Sequence, residues 1–584
     1  MRTRHTNSVV VGFALVLAST TGGATAYAQA AVDPNAQATP APELNYAAQV
    51  LSVASGHKRG RNDGEMRLRY PGFEQSTVVL SKGHLVVVTM EAVEEPNKAP
   101  VQCSCSSYQL MPDGPPKLVA DLKRLTDYSN GERTCNHPKA AADENGNIVW
   151  MYGSDYNSNR PNTYAGILNE KCEHLAAPQM VSIERDANDG APDISYLGNG
   201  NFVGGFYSDG NGTAPLAPYT CTAPGVCTAT PGGDYSVAMG LTVVSGGLLP
   251  TLTRPWINAV VTPTNIGRPT VTTVSADRAL LCAPKGPDRP SDHIECGLIN
   301  TTDGSVVWKA VVAQGDRAKK LYFNQPTVVR LSDNKFALSA IESNGMGKGT
   351  NIKGTNLAHL ILLERNGDSM TIGSQIVGAA AHQTHASICA GAYGEQAAPS
   401  VAVFSASPTG IGRAAMQMVT FDQNAKLFAS DPKTDLWPAA WYGDSGHLSN
   451  LYGRNPQRQG RDFMRCIGDV ANPGYHVANG YLPGVKTFFV GTVHGRVPGD
   501  EKNSLFLSLV PGAVDKKVLP QNPVPAGEKP NLDPNAGANT DPKPSADDSG
   551  CGCSTVGNST TGGTASLLGL IALGLVISLR RRTR

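Results

Sequence analysis

Four stretches of this chain repeat one pattern, and that pattern excludes most folds. They are HPKAAADENGNIVWMYGSD from His137, APDISYLGNGNFVGGFYSD from Ala191, RPTVTTVSADRALLCAP from Arg268 and QPTVVRLSDNKFALSAIES from Gln325. Each holds a proline near its start, runs on as a short strand, turns through a tight polar link (DENGN, GNGN, SADR, SDNK) and returns as an apolar strand. Asn-Gly and Asp-Asn steps tolerate positive φ, which suits them to hairpin turns. Weaker copies start at Ser76, Thr384 and His476.

Pro138, Pro192, Pro269 and Pro326 are 54, 77 and 57 residues apart. A unit of about 55–60 residues with loop insertions accounts for that spacing. After the fourth stretch, AHLILLERNGDSMTIGSQIVG from Ala358 adds two more strands, and four strands per repeat is the unit of a propeller blade. The expected fold is therefore all-β: a β-propeller of seven four-stranded blades spanning residues 44–518, with two packed β-sandwiches as the competing arrangement. Blades that bury their faces against one another need no single large core, which suits so long an ectodomain.

Both ends of the chain read as something other than fold. Arg2, Arg4 and His5 precede an apolar run from Val9 to Ala18, and small-x-small sites end at Ala28 and Ala30. Residues 1–30 therefore read as a secretory signal peptide. Residues 31–43 form a Pro/Ala linker, and residues 519–550, rich in Pro, Asn, Asp and Gly and free of aromatics, form a stalk. In the last segment, 551–584, a hydrophobic helix is expected at about 562–579, followed by Arg580, Arg581, Arg582 and Arg584. At 1.5 Å per residue such a helix reaches roughly 22–27 Å, marginal for a bilayer core of about 30 Å.

The chain holds 49 basic and 48 acidic residues, but the two end segments contain six arginines and no acid. The middle is net acidic by five charges, so no nucleic-acid partner is expected.

Ten cysteines lie in the middle: Cys103, Cys105, Cys135, Cys172, Cys221, Cys227, Cys282, Cys296, Cys389 and Cys466. An even number in an exported chain favours disulfides. Cys221 and Cys227 bracket a Pro-Gly turn and Cys282 and Cys296 flank a short loop, which leaves Cys389 with Cys466. Cys103, Cys105, Cys135 and Cys172 pair among themselves in an order that spacing leaves open. Zinc knuckles would need paired C-x₂-C steps, which are missing.

Few residues suggest chemistry. Asp186, Asn188 and Asp189 cluster oxygen ligands before Gly190, as a structural calcium loop would, but without the distal Glu of an EF-hand loop; a capped polar turn is the plain alternative. His382 with His385, and Asp444 with Ser445 and His447, lack the helix or nucleophile elbow that metal or serine chemistry needs. Trp437, Trp441, Tyr442 and Tyr452, in an arginine-rich insertion, are candidate ligand contacts. No cofactor other than that calcium is expected.

Three resemblances add to this reading. Gly146-Asn-Ile-Val-Trp150 and Gly304-Ser-Val-Val-Trp308 resemble the Gly-x-x-x-Trp end of quinoprotein-type propeller repeats, with the tryptophans expected to pack between blades. TTDGSVVW half-matches the sialidase Asp-box: Thr301, Asp303 and Trp308 fit, but Ser305 stands where the motif has Gly. The tail resembles the MYXO-CTERM sorting signal of myxobacterial surface proteins: Cys551-Gly-Cys553, a small polar spacer, a short helix and an arginine end. That resemblance implies an inner-membrane sorting protease, processing and lipidation at Cys551 or Cys553, transient anchoring by the helix, and display at the outer membrane or cell surface.

Two functions stay open. The first is a non-catalytic module that binds or displays a protein, glycan or small ligand. The alternative is a secreted hydrolase or oxidoreductase with its site in the propeller funnel. Carboxylates or histidines gathered at that funnel would favour the enzyme.

Overall fold

The computed structural model describes residues 49–53, 73–92, 101–110, 117–127, 135–154, 162–182, 188–209, 219–223, 226–229, 235–261, 268–286, 292–343, 356–381, 387–393, 398–406, 414–421, 427–429, 488–496 and 503–511. Every regular element among them is a strand, and none is a helix. The signal peptide, stalk and tail helix expected from sequence lie outside the described residues, as do Cys466, Cys551 and Cys553.

The strands form antiparallel sheets in chain order. Strand β1 (Gln49–Val53) joins a later sheet. Strands β2 to β5 (Phe73–Ser81, His84–Ala92, Val101–Gln109, Lys117–Arg124) make the first meander, and β6 to β9 (Asn136–Ala142, Ile148–Ser154, Asn162–Leu168, His174–Met180) the second. The third sheet holds β10 (Asn188–Gly198) and β11 (Asn201–Asp209). A side hairpin, β12 (Tyr219–Ala223) and β13 (Val226–Ala229), follows β11. The third sheet is completed by β14 (Tyr235–Val244), β15 (Thr251–Thr253) and β16 (Ile257–Val261).

Strands β17 to β20 (Thr270–Ser275, Arg278–Lys285, His293–Asn300, Val306–Ala313) form the fourth sheet and β21 to β24 (Tyr322–Arg330, Lys335–Ser343, Asn356–Asn366, Ser369–Ala381) the fifth. The sixth is β25 to β28 (Ser387–Tyr393, Ala398–Ala406, Ala414–Phe421, Leu427–Ala429). Last, β29 (Phe488–Arg496) pairs with β30 (Asn503–Pro511), whose other edge takes the early strand β1.

The first strands of successive sheets lie side by side: β2 with β6, β6 with β10, β10 with β17, β17 with β21 and β21 with β25. Strand β29 lies against both β25 and β2. This is a propeller-like all-β arrangement, and burial follows from it. The middle strands β7 and β8 are buried at every position, because neighbouring sheets cover both faces. The fourth strands β5, β9 and β20 instead mix exposed with covered positions, as edges do.

The apolar cores lie between sheets. Val149, Met151 and Ile167 meet Phe202, Phe206 and Met239 between the second and third sheets. Leu280, Cys282 and Leu298 meet Phe336, Leu338 and Ile361 between the fourth and fifth. Packing is close: a β-carbon on Gly297 would overlap Val260 Cγ1. Trp150 is fully buried between the first two sheets and stacks on Tyr152 at 4.5 Å, while Trp308 packs partly buried on the core between the fourth and fifth.

The repeated prolines mark a shared device. Pro138, Pro192 and Pro326 sit at register shifts between Asn136 and Lys139, Gly190 and Asp193, and Asn324 and Thr327. Proline offers no N–H to the ladder, so the strand bulges there. In two of these bulges the residue before proline takes a left-handed conformation: His137 (φ 53°) and Ala191 (φ 47°).

The side chain after the proline then reaches the next sheet. Val271 N–H donates to Asp193 Oδ2 at 3.0 Å, and Val328 N–H donates to Thr270 Oγ1 at 3.1 Å. The same bond therefore recurs between consecutive inner strands.

Two disulfides, Cys103–Cys135 and Cys105–Cys172, tie the first sheet to the second, with Cα separations of 5.5 and 5.7 Å. A third, Cys282–Cys296, joins register partners within the fourth sheet. Cys221 and Cys227 are register partners on β12 and β13, and Cys389 lies on β25.

Candidate functional site

The ligand-contact candidates Trp437, Trp441, Tyr442 and Tyr452 lie outside the described residues, as do His382, His385, Asp444, Ser445 and His447. So does Asp186. Asn188 and Asp189 are part of strand β10, opposite Asp209 and Ser208, and do not form a turn. Their companion Asp193 is occupied by backbone donors: Ile194 N–H meets Oδ1 at 2.8 Å, and Val271 N–H meets Oδ2. Among the described residues no group of three His, Cys, Asp or Glu side chains is placed to hold a metal ion.

The Asp-box-like segment is a structural turn between β19 and β20. Asp303 Oδ1 accepts the backbone N–H and the hydroxyl of Ser305 at 2.9 and 2.7 Å. These bonds hold its carboxyl below the usual carboxylate range.

Ionisable side chains gather where the fourth and fifth sheets meet, at the end where strand β21 begins. Glu342, near the end of β22, is the register partner of Phe323 on β21, and His359 on β23 is the partner of Ala340. Partners and second neighbours along a strand share a face, so these side chains lie together. Glu342 Oε2 and His359 Nε2 share a short hydrogen bond, and the imidazole meets the Phe323 ring edge-on at 5.1 Å.

From the fourth sheet, Asp292 reaches the same strand. Phe323 N–H donates to the Asp292 carbonyl at 3.3 Å, and Arg317 Nε lies 2.5 Å from Asp292 Oδ1. Phe323 is thus bracketed by two carboxylate-bearing residues, each with a basic partner.

The other face of the same sheet end carries a second group. Glu295, buried, pairs with Lys285 Nζ, and Lys309 Nζ lies 3.3 Å from its second oxygen. His293 Nδ1 accepts the Gly315 N–H at 3.0 Å. Burial holds its pKa below the ordinary imidazole value; Lys285 and Arg317 push the same way, against the opposing pull of Asp292 and Glu295.

Sequence reasoning missed Asp292, Glu295, Glu342 and His359, because no motif links them. Glu342 and His359 are 17 residues apart and meet only through strand register. The one available signal was the end-of-strand position of Glu342 in the fourth repeat.

No family model matches the sequence, and no curated protein matches it. Among solved structures the fold is similar to a protein of unknown function from Dyadobacter fermentans, at 12% identity and TM-score 0.36, covering 66% of this chain and 96% of that one. It is also similar to the α-L-arabinofuranosidase Arb93A from Fusarium graminearum, at 10% identity and TM-score 0.36, covering 65% and 93%. A third likeness is to Trypanosoma rangeli sialidase, at 7% identity and TM-score 0.34, covering 74% of this chain and 59% of that one. The structures named here by activity are hydrolases, whereas the sequence led to the expectation of a non-catalytic binding or display module.

Proposed function

We propose that this chain is an exported hydrolase on a ring of seven blades, with Glu342 and Asp292 as its working carboxylates and a glycosidic bond as its substrate. The observation that carries this reading is the order of exposure in the Glu342–His359 pair. The Glu342 side chain is 21% exposed and that of His359 only 5%. The carboxyl faces outward and the imidazole stands behind it, so Glu342 is the group that meets substrate and His359 positions it.

Asp292 and Glu342 both neighbour Phe323: its N–H donates to the Asp292 carbonyl, and Glu342 is its register partner. Paired carboxyls that cleave glycosides stand about 5–10 Å apart, which is the separation this reading requires of the two side chains. Glu342, as acid, protonates the leaving oxygen as the glycosidic C–O bond breaks. Asp292, beside Arg317, takes a proton from the water whose oxygen forms the new bond.

In the test, the full chain and its Glu342→Gln and Asp292→Asn variants are incubated with aryl glycosides and oligosaccharides. Each variant should lose about 10²–10⁴ in kcat while remaining folded by circular dichroism. A folded wild-type chain that cleaves none of these, or a Glu342→Gln variant of full activity, would refute the reading.

The address follows from the ends of the chain and the inter-sheet disulfides, which suit an oxidising compartment. Residues 1–30 direct export, and the tail is cut near Cys551 or Cys553 to leave a surface-held product. Mass spectrometry of the native C-terminus should find processing there; an intact Arg584 end in outer-membrane fractions would contradict it.

A further inference from the structure

We propose that His293 is a positioning residue for the proposed hydrolase and makes its site sensitive to acid: the neutral imidazole holds the 314–321 loop that sets Arg317 against Asp292, and protonation releases that loop. The effect on turnover rests on the hydrolase reading, whereas the hold on the loop is a property of the fold.

One loop grips two adjacent residues. Asp292 and His293 stand at the start of strand β19, and neighbours along a strand send their side chains to opposite faces. The loop that links β20 to β21 reaches both. Gly315 N–H donates to His293 Nδ1 at 3.0 Å, and Arg317 Nε lies 2.5 Å from Asp292 Oδ1. Gly315 is buried, and so close to the strand that a β-carbon there would overlap the Asp292 carbonyl oxygen. That carbonyl also accepts the Phe323 N–H.

Beyond Gly315 the loop closes through its own bonds. Asp316 and Leu321 exchange backbone hydrogen bonds of 2.8 Å in both directions, and Asp316 Oδ1 accepts the N–H groups of Ala318 and Lys319. Arg317 therefore rides on a closed turn, and the Gly315–His293 bond fixes where that turn sits.

The bond demands a neutral ring. An imidazole whose Nδ1 accepts carries its hydrogen on Nε2, which here lies 3.3 Å from the Gln314 side-chain amide. A second proton would go to Nδ1 and face the Gly315 N–H, so two donors meet and a buried N–H loses its acceptor. Charges on every side act on that step. Lys285, the register partner on β18, and Arg317 on the loop repel an imidazolium. Asp292 and Glu295 attract it, with Lys309 of β20 already beside Glu295. Burial is the largest influence and holds the ring neutral to lower pH than an ordinary histidine. The loop is thus held at neutral pH and released below 6.5.

The test uses the full chain as wild type, His293→Asn and His293→Leu, each checked for folding by circular dichroism. Asparagine places Oδ1 where Nδ1 stood and takes no proton there; leucine keeps the bulk and removes the acceptor. Hydrogen exchange of residues 314–321, followed by mass spectrometry and corrected for the intrinsic pH dependence, is read at about pH 7.5 and about pH 5.5. Protection in wild type should fall about tenfold or more with acid, His293→Asn should stay protected at both values, and His293→Leu should be unprotected at both. Over the same range, kcat/KM on a cleaved oligosaccharide should fall about threefold or more further in wild type than in His293→Asn.

Equal protection of wild type at the two pH values, or acid release that persists in His293→Asn, would overturn the hold. Acid profiles of turnover that coincide in wild type and His293→Asn would overturn the positioning role. A wild type that cleaves nothing while its loop exchanges as expected would reject the hydrolase and leave the hold standing.

Discussion

Thr270 shows how one hydroxyl can hold two sheets together. Its Oγ1 accepts the N–H of Val328, and Thr270 itself is buried. Thr270→Val keeps the shape of the side chain but leaves that donor unpaired, which costs about 1–3 kcal/mol. The expected result is a lower denaturation midpoint with an unchanged urea slope. A variant as stable as wild type would show that the bond contributes nothing. His293 offers a second test at this scale. A histidine with a lowered folded pKa favours the folded state above its ordinary value of 6.5, and that contribution is lost as the pH falls from there through the folded value. His293→Gln should flatten the dependence of Tm on pH between about 7.5 and 5. A Tm that falls with acid as steeply as in wild type would place the effect elsewhere. The proline of each repeat was legible in the sequence, because it recurs. The left-handed turn of His137 and Ala191 was not, because the residue before proline ordinarily stays extended.

Among elements, the boundary between the first and second sheets is the one with covalent staples. Cys103 and Cys105 alternate on β4 and send both sulfurs across to Cys135, just before β6, and Cys172, in the turn before β9. Replacing Cys103 and Cys135 together by alanine frees a loop of 32 residues and should cost about 2–4 kcal/mol, seen as a lower Tm with no free thiol gained. An unshifted Tm would mean that the sheets are held by Trp150, Tyr152 and their apolar neighbours alone. Spacing could suggest neighbours such as Cys282 and Cys296. The order among the other four depends on which sheet faces which, and no local pattern encodes that. Strands and turns were legible for the opposite reason: the Asp143–Asn147 link closes through its own side chains, with Asn147 N–H on Asp143 Oδ1 at 2.8 Å and Gly146 at φ 86°.

At the scale of the whole fold, the first strands of successive described sheets meet side by side. The sequence carried the all-β class in its short β-branched runs and polar turns. The site was hidden, because Asp292, Glu342 and His359 come from a loop end and two strands, and each looks ordinary in its own segment. Candidates drawn from loops favoured motifs that are local, whereas these carboxylates are assembled by register. If Asp292 and Glu342 act as one unit, removing both should cost no more than removing the worse one. The direct measurement is turnover of a cleaved oligosaccharide by wild type, Glu342→Gln, Asp292→Asn and the double variant, all shown to be folded. The double variant should match the kcat of the weaker single variant, about 10²–10⁴ below wild type. Losses that multiply, or a double variant as active as wild type, would contradict it.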